Sequence, residues 1–134
     1  MTSWSKGTVE WTEDGVAYLS IIFTWSLPMA YSRCVWLRAQ GYRVLAGGPA
    51  VRLRPDYLAG VADVEGDYPD AVARHNPSAT FTTRGCPGAC AFCAVPKMEG
   101  RLVELPDWPA RPIVCDNNVL ASSQAHFDLV VDRL

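Results

Sequence analysis

Three features of the sequence predict an α/β fold. Residues 16–25 form a nearly continuous apolar run, which favours a parallel strand covered on both faces. A helical pattern and a second short apolar run follow within roughly 30 residues, the length of a βαβ unit. A further strand followed by a helical pattern occupies residues 113–134. With 134 residues, of which 49% are hydrophobic, the chain is long enough to bury a core.

The first βαβ unit has recognisable start and stop signals. Ser26 can cap the helix, Pro28 suits its first turn, and Gly41 can end it. Between them three apolar residues recur at helical spacing: Ala30, Cys34 and Leu37. Residues 42–46 then predict the second strand, which leads into Gly47-Gly48-Pro49. The crossover should be right-handed, and ligands should bind at the carboxyl ends of the strands.

Charge and hydropathy argue against a membrane protein and give no support for nucleic-acid binding. Residues 16–32 carry no charge, near the lower limit of about 17 residues for a membrane span, but serines, a threonine and a proline dilute the stretch. We therefore predict a buried strand and helix rather than a membrane protein. The net charge of −2 and the scattered basic residues give no electrostatic footprint for nucleic acid. An odd number of cysteines, five, and no signal peptide indicate a reducing cytoplasm.

The second half contains shorter elements. Residues 52–77 form a connector with a short helix near 57–62, and residues 79–84 alternate like a strand. Several prolines after residue 93 disfavour a long helix before the strand at 113–115. Ser122 or Ser123 can cap a final helix, whose predicted buried stripe is Phe127, Val130, Val131 and Leu134.

Three clustered cysteines indicate a metal site. Cys86, Cys90 and Cys93 form a Cys-x3-Cys-x2-Cys run immediately after the strand predicted at 79–84. Thiolates this close in sequence can all reach one metal centre. Ordinary [4Fe-4S] clusters and structural zinc sites take four protein ligands, so this site would keep one position free for chemistry.

This run, with Phe92 directly before the third cysteine, resembles the radical S-adenosylmethionine (SAM) family. The resemblance implies that Cys86, Cys90 and Cys93 hold a [4Fe-4S] cluster whose fourth iron chelates SAM. It further implies an enzyme that cleaves SAM reductively to a 5′-deoxyadenosyl radical, served by an electron donor. Phe92 would lie beside the adenine of SAM. Asp116, Asn117 and Asn118 would contact SAM from the end of the second barrel-like strand, although no Gly-Gly-Glu stands there.

The same resemblance implies two segments. Residues 78–134 would be the first βα units of a partial barrel. Residues 1–77 would be a Rossmann-like segment, similar to a truncated cobalamin-binding domain because of the Gly-Gly-Pro loop. Only 85 residues precede Cys86, and their single histidine, His75, lies far past the first strand. These departures argue against cobalamin binding, and a tight turn explains the paired glycines.

Several residues have a structural explanation beside the functional one. Asp116, Asn117 and Asn118 can equally satisfy their own backbone and cap the next helix. Phe92 can pack the loop against the core. The charges of Lys97, Glu99 and Arg101 suit a solvated face. Cys34 and Cys115 suit small buried positions, and His75 and His126 suit surface or capping roles.

Four interpretations of the function remain open. A complete radical SAM barrel has about six βα units against two here. The first two interpretations are therefore part of a longer or two-chain enzyme, and a reduced protein that keeps a cluster. A structural zinc site completed by Cys115 or a histidine is the alternative, although such sites favour Cys-x2-Cys pairs. The fourth is a small interaction domain with incidental thiols.

Overall fold

The computed structural model describes residues 3–64 and 70–134. The chain divides into two compact units, Ser3–His75 and Asn76–Leu134. Both are mixed α/β, and the described residues contain six α-helices and three small sheets. The division falls beside the boundary at 77/78 drawn from the sequence.

The first unit contains a three-stranded sheet. Its strands are β1 (Thr8–Glu13), β2 (Val16–Ile21) and β3 (Arg43–Gly47), in the order β1-β2-β3. The central strand β2 pairs parallel with β3, which confirms the predicted βαβ unit. However, β2 ends at Ile21 instead of residue 25. Trp25 lies in a 3-10 turn, Thr24–Ser26, and is 75% exposed, so its predicted burial was wrong.

The strand β1 was not predicted. It pairs antiparallel with β2 through a two-residue turn, Asp14-Gly15, in which both residues have positive φ. Such a turn matches the right-handed twist of the strands, and Asp-Gly between alternating runs is a strong hairpin signal. The signal was therefore present in the sequence, in the alternation of Val9 and Trp11 with polar residues.

The crossover helix α1 spans Leu27–Ala39 and has the predicted buried face of Ala30, Cys34 and Leu37. Pro28 lies in its first turn, as predicted. Ser26 occupies the N-cap position but its hydroxyl makes no capping hydrogen bond, so that part of the prediction was wrong. Gly41, at φ 94°, follows the helix end.

Three short helices complete the unit: α2 (Pro49–Leu53), α3 (Pro55–Leu58) and α4 (Ala71–His75). The predicted helix at 57–62 is thus shifted towards the amino terminus. Gly48 has φ 98°, and a Cβ there would lie 2.5 Å from the Ile21 carbonyl oxygen. Only glycine suits this close approach, as the tight-turn interpretation requires. The core between sheet and helices is apolar and includes Leu19, Ile21, Leu37, Val51 and Leu58.

The second unit, Asn76–Leu134, has two sheets of two strands each. In one, β4 (Ala79–Thr80) pairs parallel with β7 (Ile113–Val114). In the other, β5 (Thr83–Arg84) pairs antiparallel with β6 (Val103–Glu104). The single strand predicted at 79–84 is therefore two strands in separate sheets. Within the described part of the chain, neither sheet closes into a barrel.

The helices of this unit are α5 (Val95–Met98) and α6 (Gln124–Arg133). Ser123 caps α6, because its hydroxyl accepts the His126 backbone N–H at 3.2 Å. This confirms one of the two predicted caps. The buried residues of α6 are His126 and Val130. The predicted stripe was wrong at its far end, since Val131 and Leu134 are more than half exposed.

The described residues show whether any helix has the properties of a membrane span. None of their helices combines the length and the apolar character that crossing a membrane requires. The uncharged stretch 16–32 is instead β2 followed by the start of α1, as predicted.

Candidate metal and cofactor site

The cysteine loop leaves β5 through Gly85. This residue has φ 80°, and a Cβ on it would overlap the backbone carbonyl of Arg101. The next residue, Cys86, donates its backbone N–H to the Gly100 carbonyl at 3.3 Å. A glycine is therefore required at the point where the loop crosses the chain that returns from α5.

Gly88 lies between the first two cysteines. A Cβ built on it would be 3.5 Å from the Cys86 sulfur and 3.9 Å from the Cys90 sulfur. Both sulfurs thus lie near Gly88, and a side chain at position 88 would contact them. Cys93 follows in a turn, in which its backbone N–H donates to the Cys90 carbonyl at 3.1 Å. Cys90 is exposed, whereas Cys86 and Cys93 are partly buried.

The sulfurs do not form a closed ligand set in this structure. In the residues that the structure describes, no group of three or more His, Cys, Asp or Glu side chains is arranged to hold a metal ion. Metal binding is commonly coupled to folding of the ligand loop, because the ligands gain their common orientation from the metal. The three thiols of one short loop have the donor chemistry that an iron-sulfur cluster needs.

The carboxylate of Glu99 ties the base of the loop together. It pairs with the Arg84 guanidinium, accepts the Gly85 backbone N–H at 3.3 Å and accepts the side-chain amide of Asn117. The Glu99 side chain is only 9% exposed. Its predicted place on a solvated face was therefore wrong, and its contribution was missed because nothing in the local sequence indicates these partners.

The carboxylate of Asp116 binds Thr82. One carboxylate oxygen accepts the Thr82 backbone N–H at 2.7 Å, and the other accepts its hydroxyl. The Thr82 oxygen also lies 3.2 Å from Nε2 of His126. Because the hydroxyl proton is donated to Asp116, the His126 N–H is the donor in this contact. His126 is buried, so its predicted surface role was wrong.

The side chains of Asn117 and Asn118 contact Glu99 and Cys86, respectively. Asn117 donates to Glu99, and the Asn118 amide nitrogen lies 3.7 Å from the Cys86 sulfur, which it donates to. Asn118 begins a 3-10 turn, Val119–Ala121, but its side chain makes no capping hydrogen bond there. The side chains of residues 116–118 therefore hold the segments around the cysteine loop rather than their own backbone.

Phe92 projects from the loop and is 94% exposed. The interpretation that its ring packs the loop against the core was wrong. The ring faces are accessible to a flat ligand. Lys97 and Arg101 are exposed, in line with a solvated face.

The remaining cysteines and His75 lie in structural positions. Cys34 is buried in α1, where burial, and secondarily the charge of Glu10, raises its pKa to about 11. Burial and the neighbouring Asp116 also raise the pKa of Cys115. His75 is buried between the hydroxyls of Ser5 and Ser20, at 2.7 and 2.8 Å, and burial lowers its pKa. Its predicted surface role was wrong.

Comparison of the chain with protein-family models, with curated proteins and with solved structures gives no match. The residues and the geometry of the cysteine loop therefore carry the functional argument by themselves.

Proposed function

We propose that Asn76–Leu134 holds a [4Fe-4S] cluster on Cys86, Cys90 and Cys93 and binds SAM, as a member of the radical SAM class. The observation that carries this proposal is that the sulfurs of Cys86 and Cys90 both lie within 4 Å of the position that a Cβ would take on Gly88. A cluster needs thiolates that converge on one centre, and a loop with no side chain between them allows it.

The surrounding fold supports this proposal. The strands β4 and β7 pair in parallel, and in this proposal they would be the first two strands of a partial (βα) barrel. The cysteine loop would follow the first strand region, and residues 116–118 would follow the second. Functional groups of such barrels lie at the carboxyl ends of the strands. In this interpretation, the β2-α1-β3 unit of Ser3–His75 is the Rossmann-like segment.

The residues around the loop divide into two roles. The ring of Phe92 is exposed and would stack on the adenine of SAM. Asp116 and Asn117 are engaged with Thr82 and Glu99, so we assign them to holding the site. When bound, the cluster and SAM would supply the electron transfer and radical chemistry, while the chain supplies the thiolates, the stacking surface and the fixed loop.

The test is anaerobic reconstitution of the full chain with iron and sulfide. We expect about four irons per chain, and loss of the cluster when Cys86, Cys90 or Cys93 is changed to Ala. Cys34→Ala and Cys115→Ala are the matched controls and should retain it. One zinc and no iron in protein purified without oxygen, with zinc release by Cys115→Ala, would establish the structural zinc site instead.

SAM binding is tested on the reduced, reconstituted protein. Addition of SAM should change the electron paramagnetic resonance spectrum of the cluster, because the free iron gains ligands. Phe92→Ala should weaken that response through loss of the stacking surface, by roughly 1–3 kcal/mol of affinity. Calorimetry that finds equal SAM affinity in the protein without iron would contradict the proposal.

A further inference from the structure

A serine hydroxyl and a buried imidazole lie in close contact within Ser3–His75. The Ser5 Oγ lies 2.7 Å from Nδ1 of His75, and Nε2 of the same ring lies 2.8 Å from the Ser20 hydroxyl. His75 is 6% exposed and Ser20 is 2% exposed, whereas Ser5 is partly exposed. The imidazole is therefore shielded from water, while Ser5 keeps part of its surface accessible to a small molecule.

Two backbone contacts fix this arrangement. The Ser5 N–H donates to the His75 carbonyl at 2.9 Å, so main chain and side chain both join the two residues. The Gly7 N–H donates to the Ser5 Oγ at 3.2 Å. Because the serine oxygen accepts there, we assign its proton to the bond with Nδ1 of His75. The ring proton is then on Nε2 and is donated to Ser20. In this tautomer, Nδ1 is an unprotonated base directed at the Ser5 hydroxyl.

From this geometry we infer that Ser5 is a nucleophile for acyl transfer, with His75 as its general base and Ser20 as the positioning residue of the imidazole. A nucleophile and a base within about 2.6–3.2 Å of each other, with the base oriented by a third group, is the arrangement that activates a serine hydroxyl. The contacts that hold the imidazole in the core thus also orient it as a base. The substrate class is a small carboxylic ester. This activity is independent of the proposed metal site, because none of the three residues belongs to Asn76–Leu134.

The reaction needs no group beyond these residues and water. Burial lowers the pKa of His75, so the ring is unprotonated at neutral pH and can accept a proton. The Ser5 Oγ attacks the ester carbonyl carbon, and its proton passes to Nδ1. The bond from that carbon to the alcohol oxygen then breaks, and Nδ1 gives the proton to the leaving alcohol. Water attacks the acyl-serine by the same route, which releases the carboxylic acid and restores the Ser5 hydroxyl.

The first experiment treats the full chain with a fluorophosphonate probe and maps the adduct by peptide mass spectrometry. The Ser5 oxygen should displace fluoride from phosphorus as His75 takes its proton. We expect an adduct on Ser5 and none on Ser3, which is an exposed serine of the same segment and serves as the control. His75→Gln should slow the labelling of Ser5 by at least about a hundredfold.

The second experiment tests Ser20 through hydrolysis of p-nitrophenyl acetate. Ser20→Ala should lower kcat about fivefold, the effect of one neutral hydrogen bond, and leave KM unchanged because Ser20 does not touch the ester. Ser20→Thr keeps a hydroxyl and should restore kcat. Ser3→Ala should keep wild-type kcat, whereas Ser5→Ala should form no acyl-serine. A structural role alone would lower the urea midpoint without this separation of kcat from KM.

The outcomes decide the inference whether or not the chain binds iron. An unlabelled Ser5 in the wild type overturns it, and so does labelling at the wild-type rate in folded His75→Gln. If His75→Gln shows no urea unfolding transition, the Ser20 variants decide. Wild-type kcat in Ser20→Ala, or an equal loss in Ser20→Ala and Ser20→Thr, would then overturn the inference.

Discussion

Replacing Glu99 with alanine should open the base of the cysteine loop. The substitution leaves the Arg84 guanidinium, the Gly85 N–H and the Asn117 amide without their common acceptor. Loss of one partner from a buried ion pair costs about 3–5 kcal/mol. The Arg84 side chain is 29% exposed, so water can solvate the released guanidinium in part. We therefore expect the lower end, about 3 kcal/mol.

The assay is amide hydrogen exchange measured by mass spectrometry on peptides from Asn76–Leu134, which reports opening in this unit alone. A loss of about 3 kcal/mol corresponds to exchange more than about a hundredfold faster in residues 84–101. The matched control is Asp128→Ala, which removes an exposed acidic partner of Gln124 in the same unit. Its effect should stay below about 0.5 kcal/mol.

A double-mutant cycle with Arg84→Ala isolates the ion pair. If Glu99→Ala speeds exchange by less than about fivefold, equal to about 1 kcal/mol, the carboxylate does not hold the loop. Coupling near zero between Arg84 and Glu99 would likewise contradict the reasoning.

Three further outcomes are expected. Gly85→Ala should destabilise Asn76–Leu134 by at least about 2 kcal/mol in urea unfolding, because strain at positive φ adds to overlap with the Arg101 carbonyl. The control is Gly100→Ala, which is also at positive φ but faces open space and should lower the free energy of unfolding less. Equal losses in the two variants would contradict the role of the overlap. Because burial lowers the His75 pKa, the unfolded chain binds more protons below pH about 6.5, so stability present above that pH should fall as pH drops, by up to about 1.4 kcal/mol per pH unit. Urea midpoints against pH measure this, and an unchanged slope in His75→Gln would refute it. With its pKa raised to about 11, the Cys34 thiol should react with iodoacetamide at pH 8 at least about a hundredfold more slowly than exposed Cys90, as followed by mass spectrometry; equal labelling would show that α1 does not bury it.

Local patterns in the sequence were sufficient for the central elements of the first unit. The apolar run that became β2, the buried stripe of α1 and the glycine turn at the end of β3 were predicted, because periodicity and turn chemistry depend on neighbouring residues. The strand β1 followed the same rules through its Asp14-Gly15 turn and was overlooked. The hairpin was therefore predictable from the sequence.

The cysteine run and Phe92 were likewise recognisable from the sequence, because all four residues lie within one short loop. What surrounds them was decided by tertiary structure. Residues 79–84 alternate like one strand, but the chain leaves one sheet after Thr80 and enters another at Thr83. The first part pairs with β7, whereas the second part pairs with β6. The local alternation of polar and apolar residues does not indicate which distant strand a segment pairs with.

The polar contacts of the site were likewise not predictable from local sequence. Glu99 and His126 looked like ordinary surface residues, yet one binds Arg84, Gly85 and Asn117, and the other contacts Thr82 across 44 positions. A buried polar group must find partners wherever the fold places them, and those partners need not be near it in sequence. The sequence by itself determined which atoms could bind a metal; the tertiary structure decided which side chains hold that loop and that Asn118 donates to the Cys86 sulfur.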